Sequence, residues 1–298
     1  MRSGKNMKYI REISATTEFA AVIGQPIHHS KSPAIYNTCF EVEDINMVYL
    51  AFETSEEETV ERIHNLQNLG VKGINITMPG KYKALECVTK VDAVANYVQA
   101  INTIVKQDDE WIGYNTDGEG FWASVKSTGT EIEDTRVALF GSGSTARVIL
   151  SRAVIEGCRQ IDVIARNLER PLEIKEVIKK LQSDYPSINI RLVNIEEEDI
   201  LKEALSSAEI VVQTTSVGMT PNPDRSILLN PDWLNPNSVV CDIVYEPRET
   251  LFLRQAKARG CKTVGGLSML VYQASLNYRL FTGNDMPVEY VLSVLENK

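Results

Sequence analysis

The segment "DTRVALFGSGSTARVILSRAVIEGCRQIDVIARN" (residues 134–167) decides the fold class of this chain. In it, the apolar stretch "RVALF" is followed by the glycine turn "GSGSTA", an amphipathic helix pattern and a second apolar stretch, "IDVIA". A strand, a tight turn, a helix and a second strand in this order make a βαβ unit. The segment therefore predicts a parallel sheet that is covered by helices.

Strand-like and helix-like stretches alternate over the rest of the chain, as they do in α/β proteins. Most of the predicted strands are apolar on both faces, which is typical of a parallel sheet. The predicted strands are 19–24, 47–53, 73–78, 188–194, 209–219, 238–245 and 262–266, with a hairpin at 100–118. The predicted helices are 32–43, 56–70, a helix after Lys81, 171–183, 197–206, 249–259 and 268–283. Residues 32–43 are predicted to begin with Pro33 after a serine cap.

The length and composition indicate two globular domains. A chain of 298 residues suits two domains of ordinary size, and 43% hydrophobic with 24% charged residues is the balance of a soluble protein. We place the domains at residues 1–116 and 117–266, and we expect helices at 267–298 to pack back on the first domain. The predicted fold class is therefore α/β, with an N-terminal α/β domain followed by a doubly wound domain.

Charge and residue usage exclude several classes of function. A net charge of -9 disfavours nucleic acid and anionic membranes as partners. No apolar run is long enough to span a bilayer, and "MRSGKNMKYIREI" lacks the apolar core of a signal peptide, so we expect a cytoplasmic protein. Five scattered cysteines fit reduced thiols, and three histidines without ligand spacing predict no metal site.

The glycine turn predicts a dinucleotide site. In G-x-G-x-x-A, Gly141 permits the turn, Gly143 lets backbone amides approach a pyrophosphate, and Ala146 allows close packing. The helix that follows offers free N–H groups to an anion. The cofactor-binding loop is expected to comprise Gly141, Ser142, Gly143, Ser144, Thr145 and Ala146. The alternative is an ordinary glycine-containing turn between a strand and a helix.

The end of the second strand, "IARNLER", indicates which dinucleotide binds. NAD sites place an acid there, whereas NADP sites place arginines that accommodate the 2′-phosphate. Arg166 ends this strand, Asn167 follows it, and Arg170 lies one helical turn further on. We therefore expect NADP rather than NAD. In the alternative interpretation these arginines are solvated surface residues, with Glu169 partly neutralising them.

Seven further motifs resemble those of shikimate dehydrogenases, in the order of that family and over nearly the whole chain. They are "GQPIHHSKSPAIYN" (24–37), "NITMPGK" (75–81), "AINT" (100–103), "GYNTDGEG" (113–120), "TSVGM" (215–219), "VYEPRET" (244–250) and "GGLSMLVYQA" (265–274). The resemblance implies that the first domain binds the substrate and that the second is a Rossmann-type domain. It implies reversible reduction of 3-dehydroshikimate to shikimate with NADPH, in the route to aromatic amino acids.

The resemblance also assigns roles to individual residues. It makes Lys81 and Asp117 the catalytic pair, and both also contact substrate. A lysine just beyond the carboxyl end of a strand stands where α/β proteins bind ligands, although an isolated lysine there usually only faces water. The substrate residues implied are Ser30 and Ser32 for the carboxylate, Thr77, Asn102 and Gln273 for ring hydroxyls, and Tyr245 at the pocket wall. Ile243 and Gly266 are implied to lie near the nicotinamide.

Departures from the family pattern leave alternative functions open. Tyr36 stands where the family often has histidine, and Ser144 replaces a common glycine. Quinate dehydrogenases and dual quinate/shikimate enzymes, which use NAD or NADP, share most of these motifs, and "TGNDMPVEYV" (282–291) is similar to that branch. A non-catalytic regulator that binds NADP or a metabolite is an alternative of another class. A homodimer is compatible with the sequence.

Overall fold

A computed structural model describes residues 13–169 and 172–296, and it contains two six-stranded sheets. The first sheet has the order β2-β1-β3-β5-β6-β4, in which β1, β2 and β3 are parallel and β5 is antiparallel to both of its neighbours. Its elements are β1 (Glu18–Gly24), α1 (Ser32–Val42), β2 (Met47–Glu53), α2 (Thr59–Asn68), β3 (Gly73–Ile76), a 3₁₀ helix (Lys83–Cys87), β4 (Lys90–Val91), α3 (Ala93–Val98), β5 (Thr103–Gln107) and β6 (Glu110–Tyr114).

The second sheet is parallel throughout and has the order β12-β11-β10-β7-β8-β9. Its elements are α4 (Asp117–Lys126), β7 (Arg136–Phe140), α5 (Ser144–Ile155), β8 (Gln160–Ala165), α6 (Leu172–Asp184), β9 (Asn189–Asn194), α7 (Glu198–Ser207), β10 (Ile210–Gln213), a 3₁₀ helix (Pro231–Trp233), β11 (Val239–Asp242), α8 (Leu251–Ala258), β12 (Lys262–Val264), α9 (Gly266–Thr282) and α10 (Val288–Glu296). Read from β9, this is the strand order of the Rossmann fold, with the reversal between β7 and β10. The predicted fold class is confirmed.

Alternating side chains of the second sheet fill two cores. Val137 and Leu139 of β7 pack with α4, α5 and α6, whereas Ala138 and Phe140 of the same strand pack with α7 and α8. Because successive side chains of a strand point to opposite faces, an apolar strand such as "RVALF" needs helices on both sides. This is why the apolar runs of the sequence identified the sheet.

Both C-terminal helices pack on the first sheet. Val271 and Tyr278 of α9 and Val291 of α10 share a core with α1, β1 and β2. The opposite face of that sheet is covered by α2, α3 and the first 3₁₀ helix. The chain therefore leaves the Rossmann sheet after β12 and returns to the first sheet.

The structure differs from the predicted elements at several places. Helices α3, α4 and α10 and the short strand β4 were not individually predicted, and the helix expected after Lys81 is a five-residue 3₁₀ helix. Helix α1 begins at Ser32 itself, and Lys31 occupies the cap position without a side-chain cap, so the predicted serine cap is wrong. Strands β10 and β11 are shorter than predicted because the chain turns away from the sheet to form the cavities described below.

Two glycines explain why α4 has a weak helix signal. A Cβ atom on Gly118 would lie 2.8 Å from the carbonyl oxygen of Val148, and one on Gly120 would lie 2.6 Å from the backbone of Gln273. Glycine disfavours a helix locally, but here it lets α5 and α9 approach α4 closely. Tertiary packing therefore selects residues that local propensity would reject.

Replacing Gly120 by alanine should destabilise the protein by roughly 1–3 kcal/mol, because the new methyl group would collide with the backbone of α9. The midpoint of thermal unfolding measures the effect. At an unconstrained helix position the same change would stabilise the protein by about 1 kcal/mol. The direction in which the midpoint shifts therefore shows whether position 120 is constrained. An unchanged or raised midpoint would show that α4 and α9 are not in close contact.

Candidate active site

A cavity of about 320 Å³ lies at the carboxyl ends of β1 and β3. Its lining combines the segment after β1, the turn after β3, the first residue of α4, helix α9 and the loop after β11. The eight residues that the sequence predicted for the substrate all line this cavity: Ser30, Ser32, Thr77, Lys81, Asn102, Asp117, Tyr245 and Gln273. Residues far apart in the sequence are thus brought to one place.

Lys81 and Asp117 form an ion pair in this cavity. The Nζ atom of Lys81 lies 2.7 Å from Oδ2 of Asp117, and the two side chains are 23% and 20% exposed. Lys81 follows the turn after β3, where the N–H of Gly80 donates to the carbonyl of Thr77 at 3.1 Å. Asp117 is the first residue of α4, where the partial positive charge of a helix N-terminus favours a carboxylate. The pair is shielded but still reachable from the cavity.

Asn102 holds the other oxygen of the same carboxylate. Its Nδ2 donates to Oδ1 of Asp117 at 2.7 Å, and its Oδ1 accepts from the backbone N–H of Thr116 at 3.0 Å. Both carboxylate oxygens of Asp117 therefore have a donor. This arrangement fixes the carboxylate, which in turn holds the ammonium group of Lys81 in place.

Ser30 and Ser32 lie at the start of α1. The backbone N–H of Ser32 donates to Oγ of Ser30 at 3.3 Å, and neither serine is the N-cap residue of the helix, which is Lys31. Both serines line the cavity, and a serine hydroxyl can donate to an anionic group. His29 and Lys31 line it as well and were not predicted, although the motif "HHSKS" contains both.

Gln273, Tyr245 and Thr77 complete the polar lining. Nε2 of Gln273 donates to Oγ1 of Thr116 at 3.3 Å. Tyr245 is 42% exposed, and Nζ of Lys31 lies 5.3 Å from the centre of its ring. Several residues with amide or hydroxyl groups around one cavity suit a small ligand with many hydroxyl groups.

The predicted cofactor loop has the geometry that a pyrophosphate requires. Gly141 has φ +114°, and a Cβ there would lie 2.3 Å from Oγ1 of Thr214. Apart from Gly143 itself and its two chain neighbours, no described residue has an atom within 4 Å of a Cβ built on Gly143, so this side of the loop is open. Helix α5 begins at the next residue, and Ala146 in its first turn is completely buried. The residues present therefore fit a dinucleotide, with the N–H groups of Ser144 and Thr145 at the helix start.

A second cavity, of about 910 Å³, opens where the strand order reverses between β7 and β10. Thr145, Ile243 and Tyr245 line it, and Tyr245 also lines the first cavity. A Cβ on Gly266 would lie 2.2 Å from the carbonyl oxygen of Ile243, so the predicted pair Ile243 and Gly266 is in close contact. Thr214, Thr215, Ser216 and Met219 also line this cavity and were not predicted. Their signal is their position just beyond the end of an apolar strand.

Asp242 supports the loop that carries Ile243 and Tyr245. Its Oδ1 accepts from the N–H of Val244 at 2.9 Å and its Oδ2 from the hydroxyl of Thr250 at 2.6 Å. Burial raises the pKa of Asp242 to about 6, and these hydrogen bonds oppose the rise. Through its bonds to Val244 and Thr250, the carboxyl group of Asp242 thus holds the loop in place at the end of β11.

Of the three residues predicted to bind a 2′-phosphate after β8, the structure describes Arg166 and Asn167. Arg166 directly follows β8, is exposed and makes no ion pair with any described residue, Glu169 included. Oδ1 of Asn167 accepts from the N–H of Glu169 at 2.8 Å. Arg170 lies outside the described residues. The guanidinium of Arg166 is therefore available to a phosphate.

Within residues 13–169 and 172–296 there is no group of three or more His, Cys, Asp or Glu residues that could hold a metal ion. Within the same ranges, no helix is long and apolar enough to cross a membrane. All five cysteines are buried free thiols.

Models of known families match three parts of the chain. They are the shikimate dehydrogenase substrate binding domain at residues 22–104, shikimate / quinate 5-dehydrogenase at residues 123–243, and the shikimate 5′-dehydrogenase C-terminal domain at residues 266–296. The matched ranges contain four of the seven motifs in full and all but the first residue of "GGLSMLVYQA", whereas "GYNTDGEG" and "VYEPRET" lie between the matched ranges.

Individual proteins match nearly the whole chain. A shikimate dehydrogenase (NADP(+)) from Alkaliphilus metalliredigens is 32% identical over 96% of this chain and 99% of its own length. A shikimate 5-dehydrogenase from Listeria monocytogenes, solved in complex with shikimate and NAD, is 30% identical with a TM-score of 0.92, over 96% and 99% of the two chains. A quinate dehydrogenase from Corynebacterium glutamicum, solved with NAD, is 25% identical with a TM-score of 0.84, over 95% and 99%. The chain belongs to the shikimate dehydrogenase family.

Proposed function

We propose that this protein catalyses the reversible reduction of 3-dehydroshikimate to shikimate with NADPH, in the biosynthesis of chorismate and the aromatic amino acids. The observation that carries the proposal is the ion pair of Lys81 and Asp117 in a polar cavity that adjoins the dinucleotide turn. The relatives named as NADP-dependent shikimate dehydrogenases support the same substrate and cofactor.

In this proposal the cavity binds the substrate through its charge and its hydroxyl groups. Ser30 and Ser32 donate to the carboxylate, while Thr77, Asn102 and Gln273 bind ring hydroxyls. Lys31, which also lines the cavity, adds positive charge near the same end. Tyr245 closes the cavity on the side of the cofactor, because it lines both cavities.

Lys81 and Asp117 transfer the proton at the reacting oxygen in this proposal. Negative charge develops on the carbonyl oxygen during reduction, and the ammonium group of Lys81 stabilises it and donates a proton. Asp117 holds the ammonium group of Lys81 in position until that moment. In the reverse direction the pair accepts the proton from the hydroxyl of shikimate.

The cofactor would be held by the loop from Gly141 to Ala146 and by the strand end. When bound, NADPH supplies the hydride that adds to the carbonyl carbon. The N–H groups at the start of α5 would bind the pyrophosphate, and Arg166, with Asn167 and Arg170, the 2′-phosphate. Ile243 and Gly266 would lie against the nicotinamide.

Substrate binding and cofactor binding are assigned to different sheets in this proposal. We assign residues 1–116, completed by helices at 267–298, to substrate binding and residues 117–266 to the cofactor. The core that α9 and α10 share with α1 supports this assignment. Free, buried cysteines support a reducing compartment, so we place the protein in the cytoplasm, and a homodimer is compatible with this function.

Four parallel assays test the proposed function. Shikimate and quinate are each offered with NADP and with NAD, and the absorbance of the reduced nicotinamide is followed. We expect turnover of shikimate with NADP and far weaker activity in the other three assays. Appreciable oxidation of quinate, above all with NAD, would instead place the protein with the quinate or dual-specificity enzymes, to which it is also similar. No activity in any assay would favour a binding protein without catalysis.

A further inference from the structure

Four polar side chains beside Asp117 form a closed ring of contacts. Oγ1 of Thr103 lies 3.0 Å from Oδ1 of Asn102 and 2.8 Å from Oδ1 of Asn277. Oγ1 of Thr116 lies 3.2 Å and 3.0 Å from the same two oxygens. All four residues are buried, and Asn277 on α9 is completely so. Burying an amide costs free energy unless its hydrogen bonds are satisfied. Each polar contact of Asn277 should therefore join one donor to one acceptor.

The protons in this ring do not suffice when the amide oxygen of Asn277 faces the two hydroxyls. Each threonine hydroxyl has one proton to donate, and each already accepts a hydrogen bond, from Asn75 at 2.9 Å and from Gln273 at 3.3 Å. Two protons must then serve four contacts. In this orientation Nδ2 of Asn277 also makes no hydrogen bond of good geometry with any described residue.

Turning the amide of Asn277 over satisfies every contact. The amide nitrogen and oxygen have nearly the same size, so the other orientation occupies the same space. Nδ2 then donates to the hydroxyls of Thr103 and Thr116, and both hydroxyls donate to Oδ1 of Asn102. The amide oxygen of Asn277 becomes an acceptor for the buried hydroxyl of Tyr36. Desolvation raises the pKa of Tyr36, and Asn277 opposes this rise only when its amide nitrogen faces the phenolic oxygen, so after the turn the hydroxyl keeps its proton to donate.

This direction of hydrogen bonding fixes the orientation of Asn102. With the N–H of Thr116, three donors converge on Oδ1 of Asn102 and leave only its Nδ2 to face Asp117. If Asn102 turned over, its oxygen would face the carboxylate, and neither atom would have a proton to share. The orientation that supports Asp117 thus depends on the two hydroxyls donating to Asn102.

We propose that Asn277 is a positioning residue for the reaction, which acts through Thr103, Thr116 and Asn102 on the carboxylate of Asp117. The inference rests on the proposed function, since it concerns the proton step assigned to Asp117. Asn277 lies four residues after Gln273, one turn along the same face of α9. Helix α9 therefore supplies both a polar residue of the cavity, Gln273, and a residue of the hydrogen bonds that support the cavity.

The variant Asn277→Leu tests this inference, because leucine fills a similar volume and makes no hydrogen bonds. We expect kcat for oxidation of shikimate with NADP to fall roughly 10-fold, the scale of a misplaced catalytic group, while KM for shikimate changes little. Asn277→Asp should behave in the same way, because an ionised carboxylate only accepts and would take the hydroxyl protons from Asn102. It also provides a second measurement if the leucine variant does not fold.

Two further variants separate positioning from simple loss of stability. Asn37→Ala removes a half-buried amide that, among the described residues, bonds only the backbone of Tyr49, at 2.9 Å and 2.8 Å. It should lower the unfolding temperature and leave kcat near the wild-type value. Tyr36→Phe should lower kcat less than Asn277→Leu does. Added to Asn277→Leu, it should cause no further loss, because Tyr36 acts through Asn277.

The outcomes are distinguishable. The inference would be overturned if a folded Asn277→Leu variant kept the wild-type kcat or showed only a raised KM. The proposed function would still stand in that case, provided that the wild-type protein oxidises shikimate. Additive effects of Tyr36→Phe and Asn277→Leu would overturn it as well. A wild-type protein that does not oxidise shikimate would overturn the proposed function and the inference together.

Discussion

Replacing Lys81 by alanine lowers kcat for shikimate oxidation by roughly 100-fold or more, the scale that general acid–base catalysis contributes. The ammonium group of Lys81 lies 2.7 Å from Asp117 in the cavity, and no other lysine or arginine among the described residues pairs with this carboxylate. Without Lys81, the reacting oxygen loses both its positive charge and its proton donor. The measurement is kcat and KM for shikimate with saturating NADP, together with the temperature of unfolding.

Lys83 provides a matched control two residues away. It begins the 3₁₀ helix, is exposed, and its Nζ lies 3.6 Å from Oε1 of Glu86. Lys83→Ala removes the same charge from the same segment and should leave kcat and KM unchanged. If Lys81→Ala retained near-native turnover, or if both variants lost activity equally, Lys81 would not be the proton donor.

The sequence predicted the Rossmann sheet because its signals are local. An apolar strand, a glycine turn and a helix within residues 134–167 give a βαβ unit whose geometry hardly depends on the rest of the chain. Gly141 illustrates this, since both its φ of +114° and its distance of 2.3 Å from Thr214 require the glycine that the motif contains. Local sequence and tertiary structure agree at this position.

Other parts could not be predicted because their signals are not local. Gly118 and Gly120 weaken the helix pattern of α4, although their lack of a side chain is what α5 and α9 require. The ring around Asn102 brings together Thr103, Thr116 and Asn277, of which the last is more than 150 positions away in the sequence. Buried polar residues of this kind have no periodicity or spacing that would identify them. They become visible only when the hydrogen bonds are counted in three dimensions.

Replacing Arg166 by alanine reduces the preference for NADP over NAD. Arg166 follows β8 directly, has no ion-pair partner among the described residues, and stands where a 2′-phosphate would lie in this fold. A charge-assisted hydrogen bond to phosphate would be lost, so KM for NADP should rise roughly 10-fold to 100-fold. KM for NAD should change little, since NAD has no phosphate at this position.

Arg159 is the matched control for this experiment, because it stands at the opposite end of the same strand. It directly precedes β8 and pairs with Asp134 at 3.2 Å and with Glu209 at 3.6 Å, so Arg159→Ala should leave both KM values unchanged. The comparison between cofactors is decisive. If Arg166→Ala raised KM for NAD and NADP by the same factor, the guanidinium would contact the adenosine that both share, and the preference for NADP would have another origin. A rise for NADP alone would instead assign the phosphate to Arg166, because only the charge that distinguishes the two cofactors would have lost its partner.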